Sequence, residues 1–528
     1  MKRVYITLVF LLVLLAGMAY LYFSNLNSSR TNPDLSLKYA AQNSGLIFSF
    51  QQSQSVVDIL KGENLFNHLI GREKSDLLTQ LNAKIFTTGI LSSLVENQTV
   101  YIGILPGAQK NVDLLFSIQL RNQVNSRTLV QTLQKAGIKM RDLNGCYEVQ
   151  LPGTQVLYLA YEKEVILLST RKNILRSAFN KPDVEEEKFI SFIKKNDRLT
   201  QNSLANLYIN YKRLPDLLKA IIPTERSNAP WLFDCDDSFG HLSYNFSKEK
   251  ILFTGETSIN DKRNYLKLFQ ALNAEKVQVD RTLPSNTSNY ALFCSGIYIN
   301  WQKKLNNWFV QKKEYKDIQT RKAQINTAYH LNLDGLIPPY LGSQFVSFQL
   351  SDGQNLAAIS LTNGDKLSQL LLDLSDVYGG NDGKIRLFKE PDILYCYFGE
   401  ALKKFKRPYY VIDNNTLFVA NSAAALSTLL KMYEGDKLLI NEEAYTRIFE
   451  QLSNSANVQF YFNKDKSGDL IAKNLYSSYD TSLLDPQGLK NFNTFVYQLT
   501  GDEDSFQTSI FLNENSISEK ASTPKRAD

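Results

Sequence analysis

Histidine is scarce in this chain: His68, His241 and His330 are the three in 528 residues, and they lie far apart in sequence. That leaves little material for imidazole-based metal ligation or proton transfer. Cysteine is scarce as well. Cys146, Cys235, Cys294 and Cys396 show no CxxC or CxxxC spacing, so neither a zinc site nor a redox dithiol is written here. An oxidising compartment permits disulfides without requiring them, and the apolar, strand-like contexts of Cys146 and Cys294 read as small buried hydrophobes. Closely spaced glycines that bring backbone amides to a substrate are also missing, in the GxSxG, GxxxxGK[ST] and GxGxxG forms alike. HExxH, and SxxK with its partner motifs, cannot be placed, which removes the common zinc-peptidase and serine-acyltransferase signatures. Charge of one sign is not in excess either. Lys and Arg number 59 against 53 Asp and Glu, spread in short clusters without a basic stripe, so nucleic acid is not an expected partner.

What is present begins with an apolar amino terminus. Met1-Lys2-Arg3 precedes Val4 to Phe23, an uncharged run whose length as a helix matches the ~30 Å hydrocarbon core of a bilayer. The alternative is a cleaved signal peptide, with Gly17-Met18-Ala19 as small residues at a cleavage site. Tyr20-Leu21-Tyr22-Phe23 argues for retention, because it continues the apolar run and supplies aromatics for the outer interface. Lys2 and Arg3 lie before the run and the next basic residue is Arg30, so the positive-inside rule keeps the amino terminus cytoplasmic and sends the rest across. Residues 1–30 are thus expected to form a single-pass anchor, helix 4–23, and a linker. The bulk is expected to be periplasmic or otherwise extracytoplasmic.

The remaining chain is long enough for two cores, and its 30 Phe and 28 Tyr favour strands. It also repeats itself. Leu46-Ile47-Phe48 matches Ala291-Leu292-Phe293, and Val100-Tyr101 matches Phe345-Val346. Ser117 to Asn122 faces Ala358 to Asn363, and Tyr158 to Leu168 faces Tyr410 to Ala420, each of the latter pair reading as a hairpin split by a polar turn. Leu207-Tyr208-Ile209-Asn210 matches Phe460-Tyr461-Phe462-Asn463, and Leu242 to Phe246 matches Phe495 to Leu499. The matches keep one order and drift only where loops differ, which is the mark of an internal duplication. Copy one is read as 37–262, a helical linker as 263–283, copy two as 284–515, and 516–528 as a disordered tail. Because hairpins outnumber crossovers, the fold class expected is α+β, two tandem copies of a mainly antiparallel sheet-and-helix domain after one transmembrane helix. Cys146-Tyr147 and Cys396-Tyr397 fall within the same drift and are expected on equivalent strands.

Four features bear on chemistry. Asn463, Asp465, Ser467 and Gly468 imitate the first half of a calcium loop, but Asn474 stands where its bidentate Glu belongs; a strand-to-helix turn is the better reading. Asp234, Asp236 and Asp237 cluster beside Cys235 without an identifiable partner and read as solvated. Lys403, Lys404, Lys406 and Arg407 read as a basic loop. Trp301, Leu305, Trp308 and Phe309 recur at helix spacing, with Lys303, Lys304, Lys312 and Lys313 around them. Such a helix either packs into the core with its lysines solvated or offers Trp301, Lys304, Trp308 and Lys312 as an interaction surface for a membrane or a partner. No residue pattern assigns a catalytic, cofactor-binding or metal-binding role.

With Val4 to Phe23, the Leu283-Pro284-Ser285-Asn286-Thr287 entry to copy two, and the hairpins at Tyr158 and Tyr410 in view, the chain resembles bacterial envelope proteins of uncharacterised function that carry an amino-terminal membrane helix and a duplicated periplasmic domain. That resemblance implies an envelope location and supplies no catalytic residues. The function expected is a non-enzymatic, membrane-anchored binding or scaffold protein of the envelope, with an envelope protein or lipid as partner. A carrier for a lipid or other apolar ligand, and an enzyme with an unrecognised site, are the alternatives. A reporter fused after Asp528 is expected to be active outside the cytoplasm. Protease protection of the carboxyl-terminal region in intact spheroplasts would contradict this orientation, and a mature amino terminus at Tyr20 would show cleavage.

Overall fold

The computed structural model describes residues 34–62, 72–87, 89–107, 112–151, 156–197, 203–221, 235–245, 250–378, 384–468 and 492–514. The apolar segment 4–23, His68, Asp234, Asn474 and the tail 516–528 lie outside the described residues. Among those described, no helix is long and apolar enough to cross a membrane. The fold is mixed α+β around one large antiparallel sheet of twenty strands.

The first half contributes β1 (Leu46–Gln51), β2 (Thr99–Pro106), β3 (Val112–Gln119), β4 (Lys139–Asp142), β5 (Tyr147–Gln150), β6 (Leu157–Glu162), β7 (Val165–Ser169), β8 (Ala205–Asn210), β9 (Ser238–Asn245) and β10 (Lys250–Ile259). A two-residue strand, β11 (Glu275–Lys276), pairs away from the main sheet with β19 (Ser455–Ala456). The second half contributes β12 (Thr287–Cys294), β13 (Leu341–Leu350), β14 (Asn355–Leu361), β15 (Ser375–Val377), β16 (Arg386–Phe388), β17 (Tyr409–Asp413), β18 (Thr416–Ala420), β20 (Val458–Asn463), β21 (Phe492–Asp502) and β22 (Ser505–Glu514).

From one edge inward the strands run β4, β5, β6, β7, β3, β2, β1, β8, β9, β10. From the other edge they run β15, β16, β17, β18, β14, β13, β12, β20, β21, β22. The two orders are the same, strand for strand. The halves meet where β10 pairs with β22, antiparallel from Lys250↔Asn513 to Thr257↔Phe506. Carrying the match of Leu207 to Phe460 through the successive registers sets Thr254 equivalent to Ser509, and these two residues face each other in the seam. Equivalent strands that pair antiparallel place a pseudo-two-fold axis between them.

Register also corrects three of the alignments read from sequence, and the first follows from the same registers: with Leu207 equivalent to Phe460, Leu242 corresponds to Tyr497, two residues beyond the Phe495 matched by sequence. The two-residue turns close on Glu162↔Val165 and Asp413↔Thr416, so Tyr158 corresponds to Tyr409 and buried Leu159 to buried Tyr410. Pairing Tyr158 with Tyr410 is one residue out, and a one-residue slip moves every side chain to the opposite face. At the first strands, Val100 lies between Phe50 and Ile118 as Phe345 lies between Phe293 and Ile359. Phe50 is therefore the counterpart of Phe293, two residues from the alignment by sequence, a slip that preserves the face. Cys396 lies in the helix Ile393–Phe398, whereas Cys146 precedes β5. The two cysteines do not share a strand position, because their sequence match falls where the halves differ in connection.

Helices cover both faces, which explains strands with continuous apolar runs such as Val165 to Leu168, all buried. One face carries the segment between the first two strands of each half. It comprises the helices Gln54–Gly62, Arg72–Leu81 and Gly89–Val95 in the first half, and Tyr298–Gln311 and Tyr315–Tyr329 in the second. The other face is covered by Leu35–Ala41 and Val184–Asp197, and by Ala423–Glu434 and Glu443–Phe449. The stretch 263–283, expected as a helical linker, is helical over Lys267–Gln270 and is part of the core. Tyr265, Leu266 and Phe269 are buried, and Tyr265 donates to the Phe398 carbonyl. Its aromatics cannot stay in water at the cost their burial avoids, on the order of 1.5–3 kcal/mol each.

In the turn between β6 and β7, Lys163 and Glu164 both have positive φ, 45° and 71°, a conformation that favours Asn and Gly. The double change Lys163→Asn, Glu164→Gly is expected to stabilise the protein by about 1 kcal/mol. A urea midpoint that does not rise would refute this reading of the turn.

Candidate functional site

The helix Tyr298–Gln311 repeats apolar residues at Tyr298, Trp301, Leu305, Trp308 and Phe309, and that stripe faces the sheet. Trp301 is 0% exposed and Trp308 3%. The Trp301 ring lies 5.6 Å from Phe269 and 5.7 Å from Phe345. Trp308 Nε1 donates to the Arg263 carbonyl at 2.7 Å, and its ring meets Tyr265 edge-on at 5.5 Å. Lys304 Nζ reaches the Ala271 carbonyl at 3.4 Å, and partial burial lowers its ammonium below the ordinary lysine range. Lys312 Nζ lies 5.6 Å from the Trp308 ring. Of the four residues offered as an interaction surface, both tryptophans are therefore core, because the apolar stripe that suggested contact is satisfied by Phe269, Phe345 and Tyr265. The lysines line its rim.

The acidic cluster has the partners that sequence did not reveal. Arg263 Nη2 pairs with Asp236 at 2.8 Å and with Asp261 at 3.0 Å, and Lys212 reaches Asp236 at 3.2 Å. Lys188 pairs with Asp237 at 3.0 Å, and the Asp237 amide donates to Glu185 Oε1 at 2.9 Å. Against desolvation, which acts upward, hydrogen bonds from Arg263 hold the Asp261 carboxyl below its usual value. Asn463 Oδ1 accepts from the Lys466 amide at 2.9 Å. That bond caps a helical turn after β20, as the strand-to-helix reading requires.

Groups with chemical potential elsewhere are engaged in structure. All four cysteines are free and buried; burial pushes the Cys396 thiol up to about 11 and Cys294 higher still, away from the reactive thiolate. Lys322, 3% exposed, pairs with Asp334 at 2.7 Å and lies 4.5 Å from the Tyr397 ring, whose hydroxyl donates to the same carboxylate at 3.2 Å. On the other face, Tyr290 and Tyr445 hydroxyls meet at 2.8 Å, Tyr445 donates to Asp280 at 3.1 Å, and Gln459 donates to Tyr290. Burial raises the Asp280 carboxyl and both phenols. Each member has a partner, so the chain specifies packing more than it supplies a reactive group.

One concave site stands apart. A cleft opens over β1 and β2 of the first half, beneath the helices Gln54–Gly62 and Arg72–Leu81. Phe48, Phe50 and Val100 form its floor, Val57 and Leu78 its sides, and Phe86 one end. It encloses about 60 Å³ of water-accessible space, and about 610 Å³ when the open mouth is counted. Ser75, Thr79 and the buried Gln52 and Asn82 add the polar contribution, with Gln52 Nε2 donating to Asn82 Oδ1 at 2.9 Å. Asn82 and Phe86 belong to a five-residue π-helical turn, Asn82–Phe86, that continues the helix Arg72–Leu81. A π turn rotates side chains off the α-helical face, and here both ends of the turn line the cleft. The corresponding place in the second half is filled by Trp301 against Phe345. Sequence reasoning missed the cleft, though a signal existed: between Gln54 and Leu81 the one aromatic is Phe66, whereas Tyr298 to Tyr329 holds Tyr298, Trp301, Trp308, Phe309, Tyr315 and Tyr329.

His241, one of the three histidines, is buried and stacked on Tyr208 at 4.9 Å, with Nε2 3.2 Å from Asn206 Oδ1. Desolvation lowers its pKa from 6.5 to about 4. Its neutral form is thus the folded form, so stability is fully present above pH 6.5 and is lost as pH falls towards 4. The loss is about 3 kcal/mol for this group. His241→Phe, which keeps a ring on Tyr208, is expected to flatten the fall in urea midpoint between pH 7 and pH 4.5; an unchanged slope would refute the assignment. Comparisons of this chain with protein-family models, with curated proteins and with solved structures returned no match.

Proposed function

We propose that this chain is a non-enzymatic binding or scaffold protein of the cell envelope, held by an amino-terminal membrane helix and presenting a duplicated extracytoplasmic fold. The single observation that carries the reading is the continuous sheet of twenty strands, in which two halves of identical strand order are fused edge to edge through β10 and β22. At about 4.8 Å per strand such a sheet extends on the order of 90 Å, a frame suited to holding surfaces at fixed separation. Its covered faces and paired ionic groups support a role in presenting surface over one in covalent chemistry. Identical order in both halves supports duplication of one ancestral unit as the origin of the frame.

The acidic cluster is the place where an enzymatic or metal-dependent reading would have to stand, and it provides the test. Asp236→Asn and Asp237→Asn lose exposed ion pairs worth roughly 0–1 kcal/mol each, and both variants are expected to complement a deletion strain as well as the parent does. If either variant, folded and normally abundant, lost all activity in complementation, the scaffold reading would give way to a metal-dependent or catalytic one. Photo-crosslinking in cells from exposed positions of both halves is expected to capture the same partner from each.

A further inference from the structure

The cleft of the first half has properties that the scaffold reading does not use. Its walls are apolar, and among the described residues no charged side chain lines it. A phosphate, a carboxylate or an ammonium group placed there would lose its hydration without a counter-charge. The polar side chains that line it are all neutral, the amides of Gln52 and Asn82 and the hydroxyls of Ser75 and Thr79. The bond from Gln52 Nε2 to Asn82 Oδ1 leaves Gln52 Oε1 as an acceptor and Asn82 Nδ2 as a donor, neither with a protein partner among the described residues. An acceptor and a donor side by side, in a largely apolar surround, match a neutral group that both donates and accepts.

The two halves strengthen this reading by contrast. Val100 lies between Phe50 and Ile118, and Phe345 lies between Phe293 and Ile359, so the same sheet position carries a small side chain in one half and a large one in the other. In the second half Phe345 and Trp301 fill the space under the covering helix; in the first half that space is open. A gap left by a smaller residue alone would be a packing defect. Here the gap coincides with a π-helical turn that delivers Asn82 and Phe86 to it, two independent departures that converge on one cavity. Its enclosed space, about 60 Å³, is far smaller than a pocket that swallows a whole ligand, on the order of 300–1,000 Å³. The sealed part is small, so it takes one end of a ligand while the rest lies along the apolar mouth.

We infer that this cleft binds a neutral amphiphile, an apolar chain or ring ending in an uncharged amide or alcohol, with that polar end on Gln52 and Asn82. Such a ligand would occupy the cleft whether or not the sheet also holds a protein partner.

The test uses the full chain in lipid nanodiscs and a dodecanamide that carries an alkyl diazirine, with the matching dodecanoate at pH 8 as the charged control. After irradiation, peptide mass spectrometry is expected to place the label on cleft residues such as Leu60, Leu78 and Phe86. Excess unlabelled dodecanamide is expected to reduce that label at least tenfold, and dodecanoate to label the cleft at least tenfold less. Val100→Phe, which installs the side chain of the second half, is expected to cut labelling at least tenfold. Should it fail to fold, Thr79→Trp at the exposed mouth serves the same purpose. Label confined to residues 4–23 would mean partition into the bilayer and would overturn the inference. So would cleft labelling that persists in a variant with the parent's melting temperature, or equal labelling by dodecanoate.

Discussion

The antiparallel pairing of β10 with β22 is the constraint on which the rest of the structure depends. Each half ends in a strand whose outer edge carries unpaired amides and carbonyls, and an exposed edge of that kind invites aggregation. Pairing the two ends with each other removes both edges and joins the halves into one sheet. Buried hydroxyls lock the seam: Tyr211 and Tyr497 meet at 2.8 Å, and Thr508 donates to Thr257 at 2.8 Å. Desolvation raises the Tyr211 phenol to about 12 and Tyr497 well above its ordinary value, so both stay protonated hydrogen-bonding groups at any physiological pH. Within the first half Gly255 lets β10 lie close against β9, because a Cβ there would lie 2.1 Å from the His241 carbonyl oxygen. The outer edges that remain are blunted: β4 reads Lys139-Met140-Arg141-Asp142, and β15 is three residues long with Asp376 at its centre.

A shared frame with unlike covers explains where binding can differ between halves. The connection between the first two strands is helical in both and lies on the same face. In the second half it packs Trp301, Leu305, Trp308 and Phe309 into a dense aromatic layer with Phe269, Phe293 and Phe345. Rings meet there at 5–6 Å, geometry that adds to the stabilisation from area alone. In the first half the covering helices are shorter and carry smaller apolar residues, so the sheet beneath Phe48, Phe50 and Val100 is incompletely covered. One half is built for rigidity and the other has room for a guest.

Charged and titratable groups are distributed according to the same division between frame and surface. Asp236 and Asp261 hold Arg263 at the start of the stretch that links the halves, beside Trp308, whose indole donates to the Arg263 carbonyl. The ion pairs there are half-exposed and contribute little energy individually. Their effect is positional, since they hold Arg263 where its backbone caps the tryptophan. Two less exposed cases, buried Lys322 with half-exposed Asp334 and Asp280 with buried Tyr445, each combine an ionisable group with a hydrogen-bonding aromatic neighbour, the arrangement that burial of a polar group demands.

The sequence by itself determined the local content of this protein. Alternation in Leu242, Tyr244 and Phe246, polar turns at Glu162-Lys163-Glu164 and Asn414-Asn415-Thr416, and the helix-period stripe of Trp301, Leu305, Trp308 and Phe309 specify strands, hairpins and a packed helix because side-chain periodicity is a property of each segment alone. The ordered matches between the halves were legible for the same reason. Only the tertiary structure decided the register, making Tyr158 the equivalent of Tyr409 and putting Cys396 in a helix, because register depends on which residues pair across strands. It alone showed that 263–283 is core, that Asp236 meets Arg263 and Lys212, and that Trp301 faces inward. The cleft belongs to the same class: it is a space left between Val100, Phe86 and Leu78, and a void is a relation among residues brought together by the fold that no one segment encodes.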